Sequence, residues 1–106
     1  MVFAEHLGGQ LNEATFEMLR KARELAGATG GKVTAALLGA PSLASQLGGA
    51  DVIYSVDDPA LSGYNPDAYE KAMVALVKEH SPRLVMFGNT TPGLDLAPAV
   101  AVAMDA

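Results

Sequence analysis

Four short apolar runs punctuate the chain: "VFAE" (residues 2–5), "KVTAALLG" (32–39), "DVIYSV" (51–56) and "RLVMFG" (83–88). The stretches between them carry apolar residues at helical spacing. This alternation is the strongest constraint on the fold. Strands joined through helices cannot pair as hairpins and must run parallel, with crossovers covering the sheet. "KVTAALLG" has no polar alternation, as a strand covered on both faces requires. Right-handed crossovers then give a three-layer α/β/α domain whose parallel sheet has the spatial order 3-2-1-4. A chain of 106 residues suits one such domain.

The helical segments have readable ends. Asn12 caps a helix expected from Glu13 to about Ala28, with Thr15, Met18, Leu19, Ala22, Leu25 and Ala26 along its inner stripe. Glu17 and Lys21 form an i,i+4 pair on its wet side. Pro41 opens a short helix carrying Leu43 and Leu47, which the glycines at 48 and 49 stop. Asn65, Pro66 and Asp67 start a third helix, whose apolar face is Tyr69, Ala72, Met73, Leu76, Val77 and His80, and Pro82 ends it. "HLGGQL" after the first run reads as a turn. Aromatic residues make up only 6%, so Ala, Val, Leu and Met must fill the core.

Charge and composition exclude several classes. The net charge is −5, and the densest basic window is "RKAR" at 20–23, on a helix, so no basic face for nucleic acid is expected. There is no cysteine, which removes disulfides, thiolate catalysis and Cys-based metal sites. No long apolar span or signal-type leader is present in the sequence, so the expectation is a cytoplasmic domain without membrane insertion. No Ser-His-Asp order, metal-spaced His pair or carboxylate dyad stands out, and no catalytic or metal site is expected. Asp57 and Asp58 before Pro59 read as a turn.

The stretch "GNTTPGLDLAP" (88–98) links the fourth run to the last helix. In a doubly wound sheet, ligands sit beyond the carboxyl ends of the strands. The cleft candidates there are Glu5, His6, Gly88, Thr90, Thr91 and Gly93. A strand, a loop with hydroxyls and glycines, and a helix N-terminus can cradle an anion. The same residues can also simply cap the helix and turn the chain. The loop has no Lys, matches neither G-x-G-x-x-G nor the P-loop pattern, and places Asp95 where it would repel a phosphate, so the second reading is preferred. His6 is expected to face solvent, and His80 to complement a helix dipole. Pro98 leaves open whether the last helix begins near Asp95 or is kinked.

That helix, taken as Leu94 to Ala106, is apolar nearly all round. Val100, Val102, Ala103 and Met104 are its interface candidates. An isolated chain is expected to bury them in a two-fold homodimer. Strand one begins almost at Met1 and the last helix stops without a cap, so a C-terminal continuation is expected.

"FAEH" before a Gly-rich turn, "ADVIYSVDDP" in the middle and "GNTTPGLDLAP" near the end together resemble the N-terminal domain of the electron transfer flavoprotein alpha subunit, along essentially the whole chain. The loop matches the family pattern at Gly88, Thr90, Gly93, Asp95, Leu96 and Pro98, and departs from it at Ala99, where the family usually has Arg. The resemblance implies a fold related to adenine-nucleotide-binding domains, a heterodimer with a beta subunit and one FAD per dimer. It also implies that FAD is held by a separate C-terminal domain of the alpha subunit, and that this domain serves as scaffold and subunit interface with no nucleotide of its own. Dehydrogenases would be the electron donors. The alternative is a small nucleotide-binding regulator of the universal stress protein type, from whose Gly-rich loop "GNTTPGLDLAP" departs.

Overall fold

In the computed structural model, residues 1–7, 10–61, 65–88 and 91–103 are described. Three strands, β1 (Val2–Ala4), β4 (Thr34–Leu38) and β5 (Val52–Val56), form one parallel sheet in the order β1-β4-β5. Ala4 lies opposite Leu37, and Leu38 opposite Val56. Between β1 and the first helix the chain makes a small antiparallel hairpin of β2 (His6–Leu7) and β3 (Gln10–Leu11). The expected turn there is a strap with its own pairing.

The fourth apolar run differs from its expectation. It contributes one parallel bridge, Val2 to Met86, on the side of β1 away from β4. The Phe3 amide donates to the Met86 carbonyl at 3.0 Å, and the Met86 amide to that of Met1 at 2.9 Å. Pro82 removes one backbone donor just before this segment, and the Leu84 carbonyl accepts from the Met1 ammonium at 2.8 Å.

Helix α1 (Glu13–Thr29) starts where Asn12 accepts a hydrogen bond from the Ala14 amide. It ends at Gly30, whose φ of 72° is the left-handed conformation that glycine adopts without strain. Helix α2 (Pro66–His80) follows Asn65, whose side chain accepts from the Ala68 amide, and ends at Ser81 with φ 46°. Helix α3 (Thr91–Ala103) begins at Thr91, so Pro98 falls inside it and removes one i→i−4 bond. The short helix expected after Pro41 is a 3-10 turn, Pro41–Gln46.

The helices cover both faces of the sheet. Phe3, Ala36 and Leu38 pack against Tyr69, Met73, Leu76 and Val77 of α2 and Leu96 and Val100 of α3. Val2, Ala4, Ala35 and Leu37 face Leu19 of α1 with Leu43 of the 3-10 turn and Leu47 just after it. Alanines at 4, 35 and 36 let the helices approach closely, while Phe3, Leu37, Leu38 and Met73 supply bulk. Each fully buried large side chain contributes roughly 1.5–3 kcal/mol. The structure confirms the inner stripe of α1 at Thr15 and Leu19, but Leu25 is largely exposed.

A polar lock ties α1 to the entry of β5. Arg23 donates to both Asp51 carboxylate oxygens at 3.2 Å and to the Gly49 carbonyl at 2.7 Å. Asp51 also accepts from the Val33 amide at 2.9 Å. That amide first, and the Arg23 guanidinium second, hold the Asp51 carboxyl below its ordinary value. A depressed carboxyl adds stability above its unfolded value, near pH 4, that is lost as the pH falls through the folded one. Wild type is therefore expected to exceed Asp51→Asn in urea midpoint at pH 7, and the difference should close in acid below pH 4. A gap unchanged between pH 7 and pH 3 would show that the lock does not act through ionisation.

Thr15 is the one buried side chain among the described residues whose hydroxyl has no hydrogen-bond partner, at 0% exposure. A buried, unpaired hydroxyl costs on the order of 1 kcal/mol or more. Thr15→Val keeps the shape and removes that cost. Urea unfolding is expected to show a gain of about 1 kcal/mol, and a loss of similar size would mean that the hydroxyl is satisfied in solution.

Candidate functional site

The crossovers place α1 on one face of the sheet and α2 and α3 on the other. The chain therefore reverses direction between β1 and the segment holding Met86, and the crevice lies above the carboxyl ends there. Of the six cleft candidates, Glu5 and His6 follow β1 and Gly88 follows the bridged segment. Thr90 lies outside the described residues. Thr91 and Gly93 form the first turn of α3, and their side-chain surroundings are outside the description as well.

His6 does not face solvent as expected. Its ring is half-buried and its Nε2 bonds the Leu38 carbonyl, the last of β4. A carbonyl only accepts, so this nitrogen carries the proton and donates. The hairpin strap is thereby pinned across the carboxyl ends of β1 and β4. The Asn12 amide closes its base by donating to the Glu5 carbonyl at 2.8 Å.

The adjoining position is filled by the chain's own backbone. Gly39 follows β4 with φ 77°, and a Cβ there would collide with the Leu61 carbonyl. This close approach seats the turn Pro59–Leu61 on the end of the sheet, with Leu61 only 2% exposed. The Tyr69 hydroxyl donates to the Leu61 carbonyl at 2.9 Å and lies 3.4 Å from that of Leu38. Burial, with the Glu5 charge adding to it, pushes the Tyr69 phenol above its ordinary value and so keeps the donor protonated. The sequence reading missed Gly39 and Tyr69. Tyr69 sat within an apolar stripe, where a buried hydroxyl needing a partner was the available signal.

The described residues at this end thus form a hydrogen-bonded roof in which the His6 ring and the Tyr69 hydroxyl serve the chain's own carbonyls. They show no cluster of His, Cys, Asp or Glu able to hold a metal.

At the opposite end, an open groove of about 390 Å³ runs past Leu25, Leu84, Met86, Tyr54 and His80. His80 stacks on Tyr54 with ring centroids 3.8 Å apart. Lys32 and Arg83 stand on its rim, each just after a helix C-terminus, where a cation offsets the dipole.

The interface candidates separate. Val100 is 1% exposed and packs into the core, because it lies on the side of α3 turned to the sheet, so it cannot meet a partner. Val102 is 79% exposed. The side chain of Ala103, and all of Met104, lie outside the described residues.

The model of the electron transfer flavoprotein domain matches residues 1–106. The chain belongs to the electron transfer flavoprotein domain family. It is 41% identical to the electron transfer flavoprotein subunit alpha of Thermoanaerobacterium thermosaccharolyticum and 40% identical to that of Megasphaera elsdenii. Each match covers 94% of this chain, and 32% and 31% of the respective relative. It is also 38% identical to the acryloyl-CoA reductase electron transfer subunit beta of Anaerotignum propionicum, over 94% of this chain and 28% of that protein. The chain thus spans about a third of the length of the curated relatives it matches. The alpha-subunit resemblance of the electron transfer flavoprotein is borne out over this length, and the stress-protein alternative is not favoured. Among the described residues, no helix is long and apolar enough to cross a membrane.

Proposed function

We propose that this chain is the N-terminal scaffold and subunit-interface domain of an electron transfer flavoprotein alpha subunit. In this reading it pairs with a beta subunit in a cytoplasmic heterodimer that carries electrons from dehydrogenases through FAD. The family match along all 106 residues, with alpha subunits among the relatives, is the observation that carries it. The flavin belongs to the part of the relatives beyond the length matched here, and the chain itself has no catalytic role. The roofed carboxyl ends support that assignment, since His6, Gly39 and Tyr69 are engaged in holding the chain's own backbone. The fourth strand position, beside β1, belongs to the segment that carries Met86, giving the order 3-2-1-4.

Titration calorimetry with FAD and with AMP tests the absence of a nucleotide site. Neither is expected to bind more tightly than about 100 µM, a weak affinity of roughly −5 to −6 kcal/mol. Micromolar AMP binding would show a nucleotide site in this domain and overturn its reading as scaffold alone.

The exposed side of α3 is the proposed interface, through Val102 and with Pro98 one turn before it. In the heterodimer the remainder of the alpha subunit, or the beta subunit, covers it. In the isolated chain a two-fold self-contact does so. Sedimentation equilibrium is expected to show a dimer for wild type and a monomer for Val102→Glu. Identical masses for the two would remove Val102 from the self-contact.

A further inference from the structure

The segment that holds Met86 is apolar on both faces, and among the described residues only one face is covered. Val85 and Phe87 pack against the cluster that α2 and α3 build. Met86 turns to the α1 side, where it is only partly buried. Leu84, two residues before it and so on the same face, is 50% exposed. A strand of a parallel sheet has both faces out of water. Here the α1 face of the segment opens into the groove of about 390 Å³, which Leu84 and Met86 both line.

The far wall of that groove is α1. Ala22, Leu25, Ala26 and Thr29 line it, at the i, i+3, i+4 and i+7 spacing of one helix face. Leu25 is 42% exposed, and the two alanines beside it leave a shallow row. The side chains of a facing helix can seat in such a row, with the two axes about 8–10 Å apart.

We propose that the groove is the seat of an amphipathic helix, packed along α1 and over Leu84 and Met86, which completes the layer that α1 begins. The proposal rests on the reading of this chain as part of an alpha subunit, and the occupant is a helix from further along that same subunit. The part matched here is 32% and 31% of two alpha-subunit relatives, so a longer chain has residues to supply it. α3 does not serve, because Leu96 and Val100 hold it on the opposite face. The lip of the groove sets the polar side of the occupant. Lys32 and Arg83 stand there with no ion-pair partner among the described residues. A helix C-terminus carries about half a negative charge, so each cation more than offsets the helix end it follows. Among the described residues no Asp or Glu lines the groove, in a chain with 12 acidic residues against 7 basic ones. The seated helix therefore turns apolar residues to Leu25, Leu84 and Met86 and a carboxylate to Lys32 and Arg83.

Thiol labelling tests this, because the 106 residues contain no cysteine. Leu84→Cys is made in the 106-residue chain and in the full-length alpha subunit, any other cysteine there being replaced by serine. Val52→Cys, on β5 at the other edge of the sheet, is the control. Maleimide is expected to label Leu84→Cys roughly tenfold or more slowly in the full-length subunit than in the short chain, and Val52→Cys within about twofold. Leu25→Glu alters an exposed position, so the urea midpoint of the short chain should hardly move. In the full-length subunit it should restore fast labelling of Leu84→Cys. Equal rates for Leu84→Cys in the two chains overturn the proposal. So does protection that appears only when the beta subunit is added, or that survives Leu25→Glu. Flavin absorbance keeps the two readings apart. A heterodimer that carries FAD with Leu84→Cys unprotected removes the seat alone, whereas a subunit that forms no heterodimer removes the alpha-subunit reading and the seat with it.

Discussion

β4 has to be buried on both faces at once, and the rest of the structure follows from that. Its residues from Ala35 to Leu38 are fully buried, with Ala35 and Leu37 turned to α1 and Ala36 and Leu38 turned to α2. A strand covered this way cannot use polar alternation, and its neighbours must reach it by crossovers. Crossovers on opposite faces create the reversal beside β1, and the reversal defines the crevice. The small side chains at positions 4, 35 and 36 allow both helical layers to approach, so the low aromatic content is a condition of the packing.

The layers were legible in the sequence because each rests on periodicity. Asn12 and Asn65 cap the helices they were expected to cap, and the stripe of α2 packs as Tyr69, Met73, Leu76 and Val77. Reading failed where long-range polar geometry decides. His6 in "EHLGG" has the local surroundings of a solvated loop residue, and nothing nearby in sequence points to a carbonyl 32 residues away. Gly39 in "LLGAP" reads as punctuation, yet its role is set by the Leu61 backbone. Val100 and Val102 are indistinguishable by hydropathy on a helix with almost no polar face. Only the direction of the sheet separates the buried one from the exposed one.

The segment around Met86 illustrates a further limit of pattern. "RLVMFG" is as apolar as the other runs, but a strand also needs a neighbour whose backbone it can match over several residues. β1 supplies only Val2–Ala4 before the chain turns into the hairpin at His6. One bridge and three hydrogen bonds between backbone groups result, the third from the Met1 ammonium to the Leu84 carbonyl at 2.8 Å. The same exit of β1 after Ala4 leads into the strap that roofs the carboxyl end.

At the described residues, the carboxyl end of this parallel sheet is satisfied by the chain's own side chains. In such a fold the carboxyl ends of the strands present unpaired backbone groups and helix N-termini, and these must be satisfied by something. A ligand is one solution. Side chains of the protein are another: the His6 ring serves Leu38, the Tyr69 hydroxyl serves Leu61, and Gly39 leaves space for the turn. Each group that satisfies the sheet from within is one fewer available to a phosphate or a base. Val102 stays exposed on α3, while the contacts of His6, Gly39 and Tyr69 cover the end of β4.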